Sequence, residues 1–519
     1  MLKWITALLA AVAVAQTAPA PSPQFADSSR RAKLATAFNE IDRLFAEFAQ
    51  TGHVPGAAWG IVIDGELAHS GAAGVREVVT KAPVDADTVF RIASMTKSFT
   101  AMAILKLRDA GKLSLDDPAE RYVPELKGLR YPSTDSPRIT IRHLLTHSEG
   151  FPEDNPWGDQ QLSETDEQFS QMMRGGIPFS TAPGTGYEYS NYGFAILGRI
   201  VSQVSGKPYD EYLTENILAP LGMTSTTLHP SKVPANRLAV GYRWEDERWK
   251  EEPALPHGAF GAMGGMLTSI RDLSRYVAAL LDAWPPRDGP ERGPIDRASL
   301  REMQQPWRPS GMRVVRDTST NAVHLTAGSY GFGLGITQTC QFRTIVAHGG
   351  GLPGYGSLMR WFPEQGVGII AFGNLTYTGW ARVAGEATDR LIATGGFQAR
   401  EQRPSPELVA ARDAVSRLVL RWDDGLATRI AAENLFLDRS MDRRKKEIED
   451  LLANVGSCTA PDRFDFVENA LRGQWTMHCE RGRLQVSITL APTMPPAVQF
   501  MSVRPAPAEV PDLGPCTSF

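Results

Sequence analysis

Residues 90–107 read FRIASMTKSFTAMAILKL. Small and apolar residues dominate this stretch, and no Pro or Gly interrupts it before Gly111. A helix is therefore predicted from Ser94 to Ala110, with Gly111 as its C-cap. On a helix, positions three apart share a face, which brings the Ser94 hydroxyl beside the Lys97 amine. A serine hydroxyl is a weak nucleophile at neutral pH and needs a base. A lysine whose pKa is lowered by burial or by another cation can be that base. Alone, S-x-x-K arises by chance about once in a chain of this length, and a helix with a surface lysine explains it as well.

Two further elements change the weight of that pair. Tyr189-Ser190-Asn191 lies within TGYEYSNYGFAILGRI. A phenol beside a lysine can be held partly as phenolate, acting first as base and later as acid toward a leaving group. The Asn191 amide both donates and accepts, which suits it to holding Lys97 and a substrate amide. His348-Gly349-Gly350-Gly351 follows the apolar run FRTIVA and precedes LPGY. Glycines at a strand edge let a substrate lie close to the backbone. An N–H there supplies half an oxyanion hole, with the Ser94 N–H as the other half. Separately, these two read equally well as a turn with a core aromatic and as a Gly-rich turn.

In this order and spacing the three elements resemble the active-site set of the serine β-lactamase, penicillin-binding-protein and esterase superfamily: S-x-x-K, then Y-x-N, then K-T-G or a variant such as H-x-G. Residues 90–107 resemble its nucleophile helix. Leu144 to Gly150 (LLTHSEG) resembles its LLTHTSG loop, and Gly264 to Ser269 with Asp272 resembles its GGL-x-S-x-x-D segment. The likeness covers roughly residues 35 to 395. It implies an α/β sandwich: an antiparallel sheet flanked by helices, with an all-helical lobe above Ser94 and a smaller C-terminal α+β domain. It also implies acyl transfer through a Ser94 acyl-enzyme, with no metal or organic cofactor. Ser94 would be the nucleophile, and Lys97 and Tyr189 would share the base and acid roles. Asn191, His348, Gly350 and Gly351 would bind substrate, Gly351 and Ser94 supplying the oxyanion N–H groups. His348 departs from the lysine of the β-lactamases. An imidazole mostly neutral near pH 7 replaces a permanent cation that could hold a substrate carboxylate. The expected substrate is therefore an ester or a D-amino-acid peptide. A β-lactamase or penicillin-binding DD-peptidase is the alternative, and a non-catalytic receptor for cell-wall fragments or β-lactams the second alternative.

Rival chemistries fit less well. A Ser-His-Asp hydrolase would show G-x-S-x-G, and the nearest stretch, Ala327 to Gly331, lacks the first glycine. His143 and His147 have i, i+4 spacing without the intervening glutamate of H-E-x-x-H. No cysteines show C-x-x-C spacing, so no metal site is predicted.

The ends of the chain set its expected organisation. Lys3, the apolar run Trp4 to Ala15 and the small-x-small triplet Ala13-Val14-Ala15 read as a cleaved signal peptide over 1–15, hence a periplasmic or secreted protein. Residues 16–30 are rich in Pro, Ala and Ser and read as a flexible lead-in. A hydrolase domain is expected over 31–398, a linker over 399–406 and an α+β domain over 407–519. The last, with helices followed by three strands, loosely resembles the nuclear-transport-factor-2-like fold. In an oxidising compartment Cys458 is expected to pair with Cys479 across a short loop, and Cys340 with Cys516. Strands at Ala57 to Ile63 and Leu67 to Ala73, joined at Asp64-Gly65, are answered by Tyr330 to Ile336, Thr344 to Ala347, Gly356 to Phe362 and Val367 to Phe372. One sheet built from both ends of the domain is expected. A net charge of −4 with pI near 6.2 asks for no nucleic acid, and no stretch of the mature chain is long enough to span a membrane. The expected partner is a small-molecule or peptide substrate. Oligomeric state is open.

Overall fold

Asp64 (φ 53°) and Gly65 (φ 82°) both take the left-handed backbone of a two-residue hairpin turn. They fold strand Gly56–Ile63 back onto strand Glu66–Glu77. The structure is a computed structural model of the chain, and it describes residues 21–155, 157–316 and 323–506. Gly56–Ile63 (GAAWGIVI) is buried along its whole length, as a central strand covered on both faces must be. Its other neighbour is Val367–Gly373, from the far end of the domain, paired antiparallel from Ala57↔Gly373 to Ile63↔Val367. The two ends thus meet at the middle of a nine-stranded sheet. From that junction the order runs outward through Tyr355–Phe362, Ile345–Leu352, Gly335–Thr339, Val323–Tyr330 and Arg308–Arg316, which is the edge.

Each face of the sheet is covered. Helices Phe38–Thr51 and Ala381–Ala393 bury Ile41, Phe45, Val383 and Leu391 against Ile61, Ile63 and Ile369 on one side. On the other, helices Thr96–Asp109 and Ile270–Asp282 pack against Val62 and Ile370. That approach is close. A Cβ on Gly60 would stand 2.8 Å from Ile270, and one on Gly368 2.7 Å from Val277. Helices Ile141–Leu145, Asp166–Gly175, Asn191–Ser205 and Tyr209–Leu213 belong to the same core and form the helical lobe.

The chain divides into two compact units; among the described residues one is 27–399 and the other 21–26 with 400–506. The second unit packs helices Pro406–Leu420, Asp424–Ile430 and Met441–Val455 with an antiparallel sheet. Its core includes Leu408, Val415, Val419, Trp475, Val486 and Ile488. Its sheet has more than the three strands expected: Cys458–Thr459, Phe466–Asn469, Arg472–Cys479, Gly482–Leu490 and Val498–Pro505. Cys458 and Cys479 face each other in register and are joined by a disulfide. The Cys340–Cys516 pairing involves a position outside the described residues, as does the signal peptide. Within the expected lead-in, Gln24 forms an antiparallel bridge with Glu401.

Two strand readings need correction. Tyr330 to Ile336 is not one strand: it breaks at Gly333 (φ 67°), and Val323–Tyr330 and Gly335–Thr339 pair as a hairpin. The strand expected at Thr344 to Ala347 is longer: Ile345–Leu352 runs straight through His348 to Gly351. No helix among the described residues is long and apolar enough to cross a membrane.

Candidate active site

Ser94 sits in a 3-10 turn, Ala93–Met95, that feeds helix Thr96–Asp109. Ala93 has φ 48°, a conformation that costs a non-glycine residue energy and recurs at functional sites. The turn is held by Thr96, whose hydroxyl donates to Ala93 O (2.7 Å) and accepts from Met266 N (3.2 Å). The one-turn spacing brings Lys97 Nζ to 3.1 Å from Ser94 Oγ. Nζ also donates to Asn191 Oδ1 at 2.6 Å and to Met263 O at 2.9 Å. Ser94 is 8% exposed and Lys97 not at all. Burial pulls the Lys97 pKa down to about 7, against the opposing pull of Asp154 and Asp159. Near neutral pH a substantial fraction of the amine is therefore unprotonated and able to accept a proton.

Asn191 begins helix Asn191–Ser205, and Ser190 caps it by accepting from Gly193 N at 3.0 Å. A second acceptor completes the cap. Asp154 Oδ1 takes Asn191 N (2.7 Å) and Oδ2 takes Tyr192 N (2.8 Å), satisfying two of the donors a helix start leaves open. Asn155 Oδ1 accepts from Asn191 Nδ2 at 2.6 Å, which leaves Asn191 Oδ1 aimed at Lys97. The Tyr189 phenol neighbours Ser94, and Lys97 Nζ lies 4.8 Å from its ring centroid. Burial pushes the Tyr189 phenol well above its ordinary pKa, so it is protonated at neutral pH and can pass a proton on.

The LLTHSEG segment lies beneath these groups. His147 is fully buried among the rings of Tyr189, Phe194 and Tyr330, at 4.3, 5.0 and 4.5 Å. Its Nδ1 accepts from Ser190 N, and burial holds its pKa far below the usual imidazole value. His143 instead caps its own helix, with Nδ1 accepting from Thr140 N. Among the described residues no group of His, Cys, Asp and Glu could hold a metal ion. Glu149 is buried and its pKa is pushed well up by that burial. Its carboxyl presses on the first turn of the Asn191 helix, where a Cβ on Gly193 would come within 2.2 Å of Oε1.

The third element forms the facing strand. His348 Nδ1 donates to Gly349 O (2.6 Å) and Nε2 accepts from Tyr330 Oη (2.9 Å). Burial and the nearby Lys97 pull its pKa down to about 4, so the ring is neutral at pH 7. The glycines are required by contact. A Cβ on Gly350 would stand 2.1 Å from Ile92 O, and one on Gly351 2.6 Å from the Tyr377 ring. Tyr377 holds φ 52° and donates from its hydroxyl to Asp159 Oδ2 at 2.9 Å.

The structure thus gathers Ser94, Lys97, Tyr189 and Asn191 around one amine, with His348 6.3 Å from the Tyr189 ring. Sequence reading did not pick out Asp154, Asn155, Asp159, Tyr330 or Tyr377 as site residues, and it quoted Glu149 only as part of the LLTHSEG segment. The only available signal was the cluster Glu153-Asp154-Asn155, and no spacing rule sets it apart from a polar loop.

The family model described as Beta-lactamase matches residues 41–394. The chain is 28% identical over 342 residues to Protein flp of Staphylococcus aureus (strain COL), covering 65% of this chain and 63% of that protein. It is 24% identical over 392 residues to Penicillin-binding protein 4* of Bacillus subtilis (strain 168), covering 71% of this chain and 80% of that one. Among solved structures, the octameric penicillin-binding protein homologue from Pyrococcus abyssi aligns with a TM-score of 0.58 at 22% identity, over 88% of this chain and 91% of that one. Such a likeness speaks for the fold alone.

Proposed function

The chain belongs to the Beta-lactamase family, whose members are serine hydrolases, and on that premise we propose that it is an exported hydrolase that cleaves esters or D-amino-acid peptides through a Ser94 acyl-enzyme. One observation carries the reading: a fully buried Lys97 amine, its pKa pulled to about 7, stands 3.1 Å from Ser94 Oγ. Lys97 takes the hydroxyl proton as Ser94 Oγ attacks the substrate carbonyl. Asn191 Oδ1, Met263 O and the nearby carboxylates of Asp154 and Asp159 stabilise the ammonium that forms. The protonated Tyr189 phenol, a neighbour of Ser94, hands a proton to the leaving group. The N–H groups of Ser94 and Gly351 receive the oxyanion. Water then attacks the acyl-enzyme through the same groups in reverse.

The state of His348 supports the substrate class. A neutral ring with both nitrogens engaged offers no cation to a substrate carboxylate, which favours a neutral ester or amide over a β-lactam. The Cys458–Cys479 disulfide suits an oxidising compartment and supports export. The test is hydrolysis of p-nitrophenyl butyrate by the wild type and by Ser94→Ala, with intact-mass measurement after benzylpenicillin. The variant is expected to lose about a thousandfold in kcat/KM or more, and a loss below about tenfold overturns the assignment of Ser94. A lasting benzylpenicillin adduct transfers the reading to a DD-peptidase. Rapid drug consumption transfers it to a β-lactamase.

A further inference from the structure

Residues 187–190 lie outside every helix and strand, yet their backbone is held at two points by one residue. The N–H groups on either side of Tyr189 both end on His147. Glu188 N donates to its carbonyl (2.9 Å) and Ser190 N to its Nδ1 (3.1 Å). The same ring lies against the Tyr189 ring, with centroids 4.3 Å apart and 42° between the planes. His147 holds φ 53°, a left-handed backbone uncommon outside glycine and frequent at functional sites. It is fully buried. Because Nδ1 accepts, the proton of the neutral ring sits on Nε2. That buried N–H has no hydrogen-bond partner among the described residues.

Hydrogen-bond satisfaction does not by itself call for a histidine here. A leucine would strand the Ser190 N–H but remove the orphaned Nε2–H, exchanging one unmet donor for another. What histidine joins in one side chain is an acceptor close to Cβ and a flat, uncharged ring. The need for both arises at Tyr189, whose phenol neighbours Ser94. A proton donor must stay within about 3 Å of the atom it protonates, and an irregular segment fixes a side chain less tightly than a helix or strand does. We propose that His147 is a positioning residue for the Tyr189 phenol, clamping the backbone on both sides of it and seating its ring so that the hydroxyl meets the leaving group. This rests on the Ser94 acyl-enzyme reading. At the step it serves, the ester C–O bond breaks, the electron pair leaves on the alcohol oxygen, and that oxygen takes the Tyr189 proton. The Ser94 proton, held by Lys97, then makes good the phenol. His147 itself moves no proton: burial and the nearby Lys97 hold its pKa far below the imidazole range.

The experiment compares kcat/KM of the full chain for ethyl butyrate and p-nitrophenyl butyrate. Both form the same butyryl-enzyme and differ in the alcohol that leaves: ethoxide needs the Tyr189 proton, whereas p-nitrophenoxide departs without one. His147→Leu is expected to lose about a hundredfold on the ethyl ester and under about fivefold on the p-nitrophenyl ester, with circular dichroism as the check on folding. His147→Asn keeps an acceptor for Ser190 N and tolerates the positive φ, but lacks the ring. It is expected to recover most of the loss, falling about tenfold on the ethyl ester and about twofold on the other. Tyr189→Phe is expected to show the split of His147→Leu, and adding His147→Leu to it to cost under about threefold more on the ethyl ester. Equal losses on the two esters overturn the proposal, because a merely structural role acts on both alike. If His147→Leu does not fold, His147→Asn decides by the same comparison. Losses that add in the double variant also overturn it. Tyr189→Phe without the split would overturn the acid role of Tyr189 and the clamp with it. Ser94→Ala with activity on both esters would instead overturn the acyl-enzyme reading beneath them.

Discussion

Lys97 decides at the scale of the single residue. Its pKa is pulled to about 7 by burial, and only the unprotonated amine can accept the Ser94 proton. The ester rate is therefore expected to rise with pH through a limb near 7 and to level off above it. The phenol of Tyr189, pushed the other way, adds no acid limb. A pH profile of kcat/KM checks this; a limb at carboxylate pH values would mean that another group is the base. His348 gives a second test. Replacing it with Lys places a permanent cation beside Lys97 and frees the Tyr330 hydroxyl. The repulsion is expected to move the limb to lower pH. The new charge is expected to raise the kcat/KM ratio of a carboxylate-bearing substrate over a neutral ester by about tenfold, the size of one hydrogen bond to a charged group. An unchanged ratio would mean that position 348 does not meet the substrate. The residues behind both tests were legible in the sequence, because S-x-x-K, Y-x-N and H-x-G are short motifs in a fixed order. The groups that tune them were not. Asp154, Asp159 and Tyr330 act from loops and strands distant in sequence, and burial, which sets every shift quoted, is a property of the folded chain.

At the scale of the element, the helix Asn191–Ser205 aims the amide that holds Lys97, and its first turn is fixed from both sides. Asp154 accepts from its first two N–H groups, and the Glu149 carboxyl packs on Gly193. Replacing Asp154 with Ala strands both donors. Stability is expected to fall by about 1–2 kcal/mol in urea unfolding, with kcat falling more than KM changes, because the lost order reaches Asn191. Normal kcat in a destabilised variant would separate the cap from the chemistry. The sequence reading assigned no helix here, whereas it did assign the helix that carries Lys97. The stretch 94–110 was expected as one helix and is a 3-10 turn followed by Thr96–Asp109, a difference of local hydrogen bonding that no apolar pattern encodes. Strands containing glycine were harder to read. The strand read at Thr344 to Ala347 stopped short of His348 to Gly351 because glycine is a poor strand former, yet contact with Ile92 O and Tyr377 demands glycine there. The edge strand Arg308–Arg316 was missed for the opposite reason: its Met312 and Val314 are exposed and cover no core, so no burial pattern marks it.

The whole molecule is two cores on one chain. The strand pattern predicted that the first would close by joining its own ends, and pairing of Gly56–Ile63 with Val367–Gly373 does so. The second rests on a smaller apolar set around Trp475 and Val486, so a covalent link matters more to it. The Cys458–Cys479 bond spans a sequence separation of 21. Closing a loop of that size removes unfolded-chain entropy equivalent to about 3 kcal/mol. In a unit of this size that corresponds to roughly 10–20 °C in melting temperature. The double variant Cys458→Ser/Cys479→Ser is therefore expected to lower the thermal transition of the second unit by that amount. Every side chain assigned to catalysis lies within residues 27–399, so ester hydrolysis at 25 °C is expected to stay within about twofold of wild type. Calorimetry and initial rates on one preparation check both halves. A variant that melts as expected but loses its hydrolysis would show that the second unit does more than accompany the first, and would move the search for substrate determinants to the second unit.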